Sequence, residues 1–394
     1  MMQVLQRQGR RPSLRLAPCS AAFAGLLAAG ATQAQATYDP ATRILQVPTI
    51  DVAGQTYRDL AARLDADGRL TILALTAPST SPGPTLAART AAATATAQTH
   101  ALCNAVRPFY WEVGDKTQRL AGASVNAPGG LVSYDSTTSM PIASASKWLY
   151  GAYVAERRAG NLTAQDIQFL NFRSGYTSFP PNGCDAKDTV ASCVARDNNG
   201  VLTPANVDKF YYGGGHMEKH ASLPAPGMGL GAMNNDTLAA ELRRLLGTDI
   251  NFSYTQPQPA GGVRTTPRDY AVFLRKLLNN QLKLAALLGS NPVCTNPATC
   301  ATALSTPIPT NLSWHYSIGH WVEDDPTGDG AFSSAGAFGF YPWVDAGKTF
   351  YGVVARVDAN GAGYDSAMCG GMIRKAWMTG TVPPDNALAA RQGL

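Results

Sequence analysis

The segment Met140-Pro141-Ile142-Ala143-Ser144-Ala145-Ser146-Lys147-Trp148-Leu149-Tyr150-Gly151-Ala152 decides how the rest of the chain is read. An apolar Met140-Pro141-Ile142 leads into a helical run, with Ser144 at its start and Lys147 one turn on. Backbone N–H groups at a helix start have no partner within the helix and can stabilise an oxyanion. A lysine on the same face can take the serine proton once burial lowers its pKa. A serine N-cap beside a solvated lysine would give the same letters, so the pattern needs support from elsewhere.

That support comes from five further stretches. Phe169-Leu170-Asn171-Phe172-Arg173-Ser174-Gly175 is similar to an L-L-x-x-T-S-G segment, and Phe210-Tyr211-Tyr212-Gly213-Gly214 to F-x-Y-S-N. Gly261-Gly262-Val263-Arg264-Thr265-Thr266-Pro267-Arg268-Asp269-Tyr270 is similar to G-G-L-x-S-T-x-x-D-L, and the run from Trp314 to Glu323 to a Y-G-L-G-W strand. Ser334-Ala335-Gly336-Ala337-Phe338-Gly339 stands in the place of K-T-G or H-T-G. In this order the segments resemble the serine β-lactamase and penicillin-binding protein family, on the side of class C β-lactamases, family VIII carboxylesterases and 6-aminohexanoate-dimer hydrolases. The resemblance spans roughly Cys103 to Gly380.

It implies an α+β fold, an antiparallel sheet flanked by helices with a helical subdomain. By the same resemblance Ser144 is the acyl-accepting nucleophile, Lys147 its base and Tyr212 the relay to the leaving group. The backbone N–H groups of Ser144 and Ala337 would form the oxyanion hole, and Gly336 would keep the strand edge open beside the acyl group. Two departures bear on substrate binding: Gly214 replaces an asparagine, and Ser334 replaces the cation that holds a carboxylate. His216 is a candidate polar substitute, or a structural histidine at a helix start. Phe338 and neighbouring aromatics would either wall an apolar acyl pocket or belong to the core.

Composition agrees with a globular enzyme. The 394 residues are 45% hydrophobic and 15% charged, which excludes disorder. Residues 1–36 hold Arg7, Arg10, Arg11 and Arg15 and no acid, then an Ala- and Leu-rich run and Ala34-Gln35-Ala36, the form of a signal peptide. Without them the formal charge of +5 falls to about +1, giving no footprint for nucleic acid or an anionic membrane. The expected location is secreted or periplasmic, with no stable membrane insertion. Beyond the signal peptide the chain divides into a small β unit at 37–77, a Pro/Ser-rich linker at 78–84 and a hydrolase domain at 85–394.

Six of the seven cysteines lie beyond residue 36, an even number that argues for disulfides in an exported chain. Cys184 with Cys193 and Cys294 with Cys300 would close short loops, leaving Cys103 and Cys369 to join the ends of the main domain. Other pairings stay open. No metal or cofactor is expected: His216 and His220 have zinc-helix spacing without the glutamate of H-E-x-x-H, and the acidic run Glu323 to Gly330 reads as a solvated turn rather than a calcium loop. No G-x-S-x-G nucleophile elbow occurs. The reading is an exported serine hydrolase acting on uncharged small esters or amides. Its alternatives are a DD-peptidase or β-lactamase, and a non-catalytic binding or sensor module of the same fold.

Overall fold

The computed structural model describes residues 37–52, 55–64, 70–76, 83–180, 183–361 and 363–385. The signal-like segment, the Asp65–Gly68 turn and residues 77–82 of the linker lie outside them. The chain divides into two units, Met1–Gly83 and Pro84–Leu394. The first contains an antiparallel meander of four strands in sequence order: β1 (Thr37–Asp39), β2 (Ile44–Val52), β3 (Gln55–Leu64) and β4 (Leu70–Thr76).

In the second unit, Phe109-Tyr110-Trp111-Glu112-Val113 has almost no polar face and is buried along its whole length, as expected of a strand covered on both sides. It lies in β5 (Phe109–Asp115), followed by β6 (Arg119–Val125). The remaining strands are β7 (Met140–Pro141), β8 (Phe210–Tyr211), β9 (Phe252–Tyr254), β10 (Val263–Thr265), β11 (Val293–Cys294), β12 (Ala303–Ser305), β13 (His315–Ser317), β14 (His320–Glu323), β15 (Ala331–Ser333), β16 (Tyr341–Val344) and β17 (Phe350–Ala355). Eight form one sheet in the order β11-β13-β14-β15-β16-β17-β5-β6, antiparallel throughout. A small sheet β7-β10-β9 and a parallel pair β12-β8 stand apart from it.

The helices are α1 (Leu86–Thr99), α2 (Ala101–Asn104), α3 (Ser146–Arg157), α4 (Ala164–Leu170), α5 (Val190–Val194), α6 (Gly215–Ser222), α7 (Asn235–Leu246), α8 (Pro267–Leu278), α9 (Leu284–Leu287) and α10 (Gly363–Thr379). Local chemistry sets several of their starts. Thr266 caps α8 by accepting the Asp269 N–H at 3.1 Å with Pro267 at the first position, and Thr163 forms a capping box with Asp166 at α4. Helices α10 and α1 pack on each other and α10 on β17, so elements from both ends of the unit meet. All six tryptophans are less than 2% exposed. None of the described helices is long and apolar enough to cross a membrane.

Two expectations change. The run from Trp314 to Val322 is not one strand: Ile318 (φ 24°) and Gly319 (φ 79°) turn the chain between β13 and β14. The acidic run from Glu323 is solvated only in part: Asp324, Pro326, Thr327 and Asp329 are exposed, while Glu323 and Asp325 are buried. Arg374 of α10 is buried and donates to Glu323 Oε2 at 2.6 Å, Asp329 Oδ2 at 2.7 Å and the Tyr341 hydroxyl at 2.7 Å. Trp314 Nε1 donates to Asp325 Oδ2 at 2.8 Å. A buried guanidinium has to have its donors met, and this loop meets them.

The structure pairs Cys103 with Cys369, Cys184 with Cys193 and Cys294 with Cys300, at Cα separations of 4.7, 4.9 and 6.4 Å. The first ties α2 to α10 across 266 residues. Closing so long a loop restricts the unfolded chain by about 5 to 6 kcal/mol in the chain-entropy account. We expect the Cys103→Ala/Cys369→Ala double variant to lose about 2 to 4 kcal/mol in urea unfolding, and non-reducing peptide mapping to recover the 103–369 crosslink.

Candidate active site

Ser144 lies in a single 3-10 turn, Ala143–Ala145, that runs directly into α3. The residue before it, Ala143, has φ 44°, a left-handed conformation that L-residues adopt at a cost and that tends to persist at functional turns. Three hydrogen bonds with two residues fix this turn. Ile142 N donates to the Val263 carbonyl at 3.0 Å, Val263 N to Ser146 Oγ at 3.3 Å, and the Tyr270 hydroxyl to the Ala145 carbonyl at 2.8 Å. Val263 and Tyr270 both belong to the Gly261–Tyr270 stretch, so that segment serves as the scaffold of the turn.

Lys147 follows on the first turn of α3 and is 5% exposed. Its Nζ lies 2.9 Å from Ser144 Oγ and 2.8 Å from the Ala260 carbonyl oxygen, and 5.2 Å from the centre of the Tyr212 ring. Burial outweighs the attraction of Glu218 and brings the Lys147 pKa down to about 8. Tyr212, just after β8, lies flat on Trp321 at 5.2 Å and edge-on to Phe172 and Tyr316. Burial pushes its hydroxyl up to about 12, while hydrogen bonds with the Ser144 and Trp321 side chains act against that rise. The phenol therefore stays protonated and can pass a proton. Tyr211 does not take its place: its carbonyl accepts from His216.

The Ser334–Gly339 segment runs along the other side of the turn. Gly336 N donates to Phe340 O at 2.8 Å, toward β16, while a Cβ on Gly336 would collide with the Ile142 carbonyl. Among the described residues neither the Ser144 nor the Ala337 backbone N–H donates a hydrogen bond, and Ala337 is exposed. Free donors beside a nucleophile are the elements of an oxyanion site.

Comparison with solved structures gives a proposed β-lactamase from Bacteroides dorei, 19% identical over 68% of this chain and 93% of that one, at TM-score 0.51. The fold is that of the serine β-lactamases. Also similar are a penicillin-binding protein homologue from Pyrococcus abyssi (13% identity, 71% and 74% coverage, TM-score 0.47) and a D-stereospecific amidohydrolase from Streptomyces sp. (16%, 76% and 100%, TM-score 0.45). No protein-family model matches the sequence, and no curated protein does.

Within this β-lactamase-like fold, His216 takes the structural one of its two readings, and Ser334, expected at the substrate, is turned to the backbone. His216 is fully buried, with Nδ1 at 2.7 Å from Ser174 Oγ and Nε2 at 3.0 Å from the Tyr211 carbonyl. Burial drives its pKa down to about 3. It is a neutral strut that ties the Ser174 turn to Tyr211, next to Tyr212. His220 is likewise engaged by Asp166 and Tyr150, so the zinc-like pair does not converge. Ser334 is 2% exposed and donates to the Ser144 carbonyl at 3.1 Å, so its hydroxyl braces the Ser144 backbone.

Gly214 fits its departure. A Cβ there would meet Phe179 at 3.3 Å and the Ala260 side chain at 3.6 Å, so an aromatic ring stands where an asparagine would have to fit. Phe338 is half-buried, and its carbonyl accepts the Asp358 N–H at 3.0 Å. Glu218 and Ala260 went unread in the sequence. Glu218 sits in the polar run His216-Met217-Glu218-Lys219-His220, where nothing in the sequence marks it as buried.

Gly336→Ala tests the close approach of the third segment. The added methyl has to displace either the Ile142 turn or the strand, and we expect a loss of about 1 to 3 kcal/mol in thermal or urea unfolding. A stability equal to that of the parent protein would mean the two backbones are farther apart than described.

Proposed function

We propose that the protein is a serine hydrolase that forms an acyl-enzyme on Ser144 and acts on small uncharged esters or amides. The observation that carries this reading is the buried Lys147 amine, 2.9 Å from Ser144 Oγ with a pKa brought down to about 8. A lysine kept in water at its usual pKa could not act as a base near neutral pH, whereas this one is about a tenth neutral at pH 7. Ser144 Oγ attacks the acyl carbon as its proton passes to Lys147 Nζ. The oxyanion forms against the N–H groups of Ser144 and Ala337, and Tyr212 delivers the proton to the departing alcohol or amine. Water repeats the sequence in reverse to release the acid.

Substrate charge follows from the cations around the third segment. β-Lactams and D-alanyl peptides present a carboxylate, and a charge-assisted hydrogen bond to it contributes roughly 1.5 to 3 kcal/mol. Here the residue in that position, Ser334, spends its hydroxyl on Ser144. Arg264 donates to the Ser139 carbonyl, and Arg356, packed at Gly339, donates to Ser366 and Asp358. With Phe179 beside Gly214, the lining favours an apolar, uncharged acyl group.

Ser144→Ala should abolish ester turnover and fluorophosphonate labelling with the fold intact, and Lys147→Ala and Tyr212→Phe should each lower kcat by about 100-fold or more. A labelled Ser144→Ala protein would sink the assignment. Below pH 8 the kcat/KM of the parent protein should fall about tenfold per unit, because only the neutral amine is a base and protonation removes it. On one preparation, p-nitrophenyl butyrate should exceed a penicillin in kcat/KM by about tenfold or more. The reverse order would point to the β-lactamase or DD-peptidase alternative.

A further inference from the structure

Glu218 stands on α6, six residues beyond Tyr212, and is 1% exposed. Its Oε1 accepts the Ala260 N–H at 2.9 Å, and its Oε2 is buried with no hydrogen-bond partner among the described residues. A buried carboxylate oxygen left without a donor is costly and calls for a physical reason. The carbonyl of the same Ala260 takes Lys147 Nζ at 2.8 Å. One residue of backbone is thus gripped by a carboxylate on its N–H side and by the site's amine on its carbonyl side.

We propose that Glu218 is a positioning residue for the nucleophile's base: it holds the Ala260 peptide whose carbonyl takes the Lys147 amine, and its buried carboxylate and that amine titrate as one pair. The groups facing this pair from the neighbouring elements do not change charge near neutrality. His216 on α6 is held neutral by a pKa brought down to about 3. Burial keeps Tyr212 protonated up to about 12, and raises Tyr150 on α3 and Tyr254 on β9 well above 10.

Burial drives the two partners toward each other. Lys147 comes down to about 8 and Glu218 goes up to about 8, each counteracted by the other's charge. A buried carboxylate and amine gripping the two sides of one peptide can share a single proton, either as ammonium and carboxylate or as amine and carboxylic acid. The second form leaves Lys147 with the lone pair that Ser144 needs, without a net charge entering the interior.

The catalytic meaning of the pair rests on the acyl-enzyme reading of Ser144, but its titration does not, so the test follows the titration first. Lysine labelled with ¹³C at Cε is titrated by NMR, and the Lys147 signal is assigned by its loss in Lys147→Met. Glu218→Gln keeps the side-chain volume and the acceptor for Ala260 while removing the charge. Because the carboxylate stabilises the ammonium, its removal should lower the Lys147 midpoint by about one pH unit or more. The acidic limb of kcat/KM for p-nitrophenyl butyrate should move to lower pH by the same amount.

A Lys147 midpoint unchanged in Glu218→Gln overturns the proposal. Should that variant not fold, the parent protein decides: Lys147 Cε and Glu218 Cδ should each titrate in two shared steps, and independent single steps overturn the pair. A shifted Lys147 midpoint in a protein without ester turnover would sustain the pair and sink the hydrolase reading.

Discussion

Taking one lysine amine out of water is the constraint around which the second unit is arranged. An ammonium deep in protein loses several kcal/mol of hydration, so the surroundings must either replace that hydration or let the proton go. Around Lys147 they do part of each. The Ala260 carbonyl, Ser144 Oγ and the Tyr212 ring stand in for water, and the pKa still falls to about 8. These groups come from the loop before β10, the turn before α3 and the residue after β8, and Glu218 comes from α6. Segments far apart in sequence therefore have to be correctly placed before this one atom acquires its chemistry, which makes reactivity a property of the assembled unit.

Polar side chains around Ser144 are spent on holding its turn. Ser334 braces the Ser144 carbonyl, Tyr270 the Ala145 carbonyl, and His216 the chain next to Tyr212. A serine on a turn with a left-handed alanine needs such support, because the turn by itself would relax. The polar residues of the site thus divide into a few that can touch a ligand and a larger set that keep those few in place. The lining that remains, with Phe179 at Gly214, is apolar.

The parts of this arrangement that were legible in the sequence are those written in residue type and order. Ser144, Lys147 and Tyr212 stand out because their chemistry resides in their own side chains, and the helix start at Pro267 because the Thr266 cap is local. What was not legible depends on direction. Whether Ser334 offers its hydroxyl to a ligand or to Ser144 depends on how the third segment lies against Ile142, which Gly336 decides by having no Cβ. Glu218 means nothing until Ala260, 42 residues away, is brought between it and Lys147. The turn at Ile318-Gly319 is hidden in an apolar run, and the acidic loop looks solvated until Arg374, from the last helix, is folded beneath it.

The order of strands in the large sheet also sets a schedule. β5 and β6, the first strands of the second unit, have no neighbour on their inner side except β17, one of its last elements. During synthesis β5 can pair with β6 at once, but its other edge emerges more than 230 residues before β17, the strand that covers it, from Tyr110 to its partner Ala355. Pairings so remote in sequence are slow to form, and an open apolar strand edge is prone to stick to other chains while it waits. The central sheet is consequently a late event, completed only when nearly all of the unit has been made, and the nascent chain depends on being shielded until then.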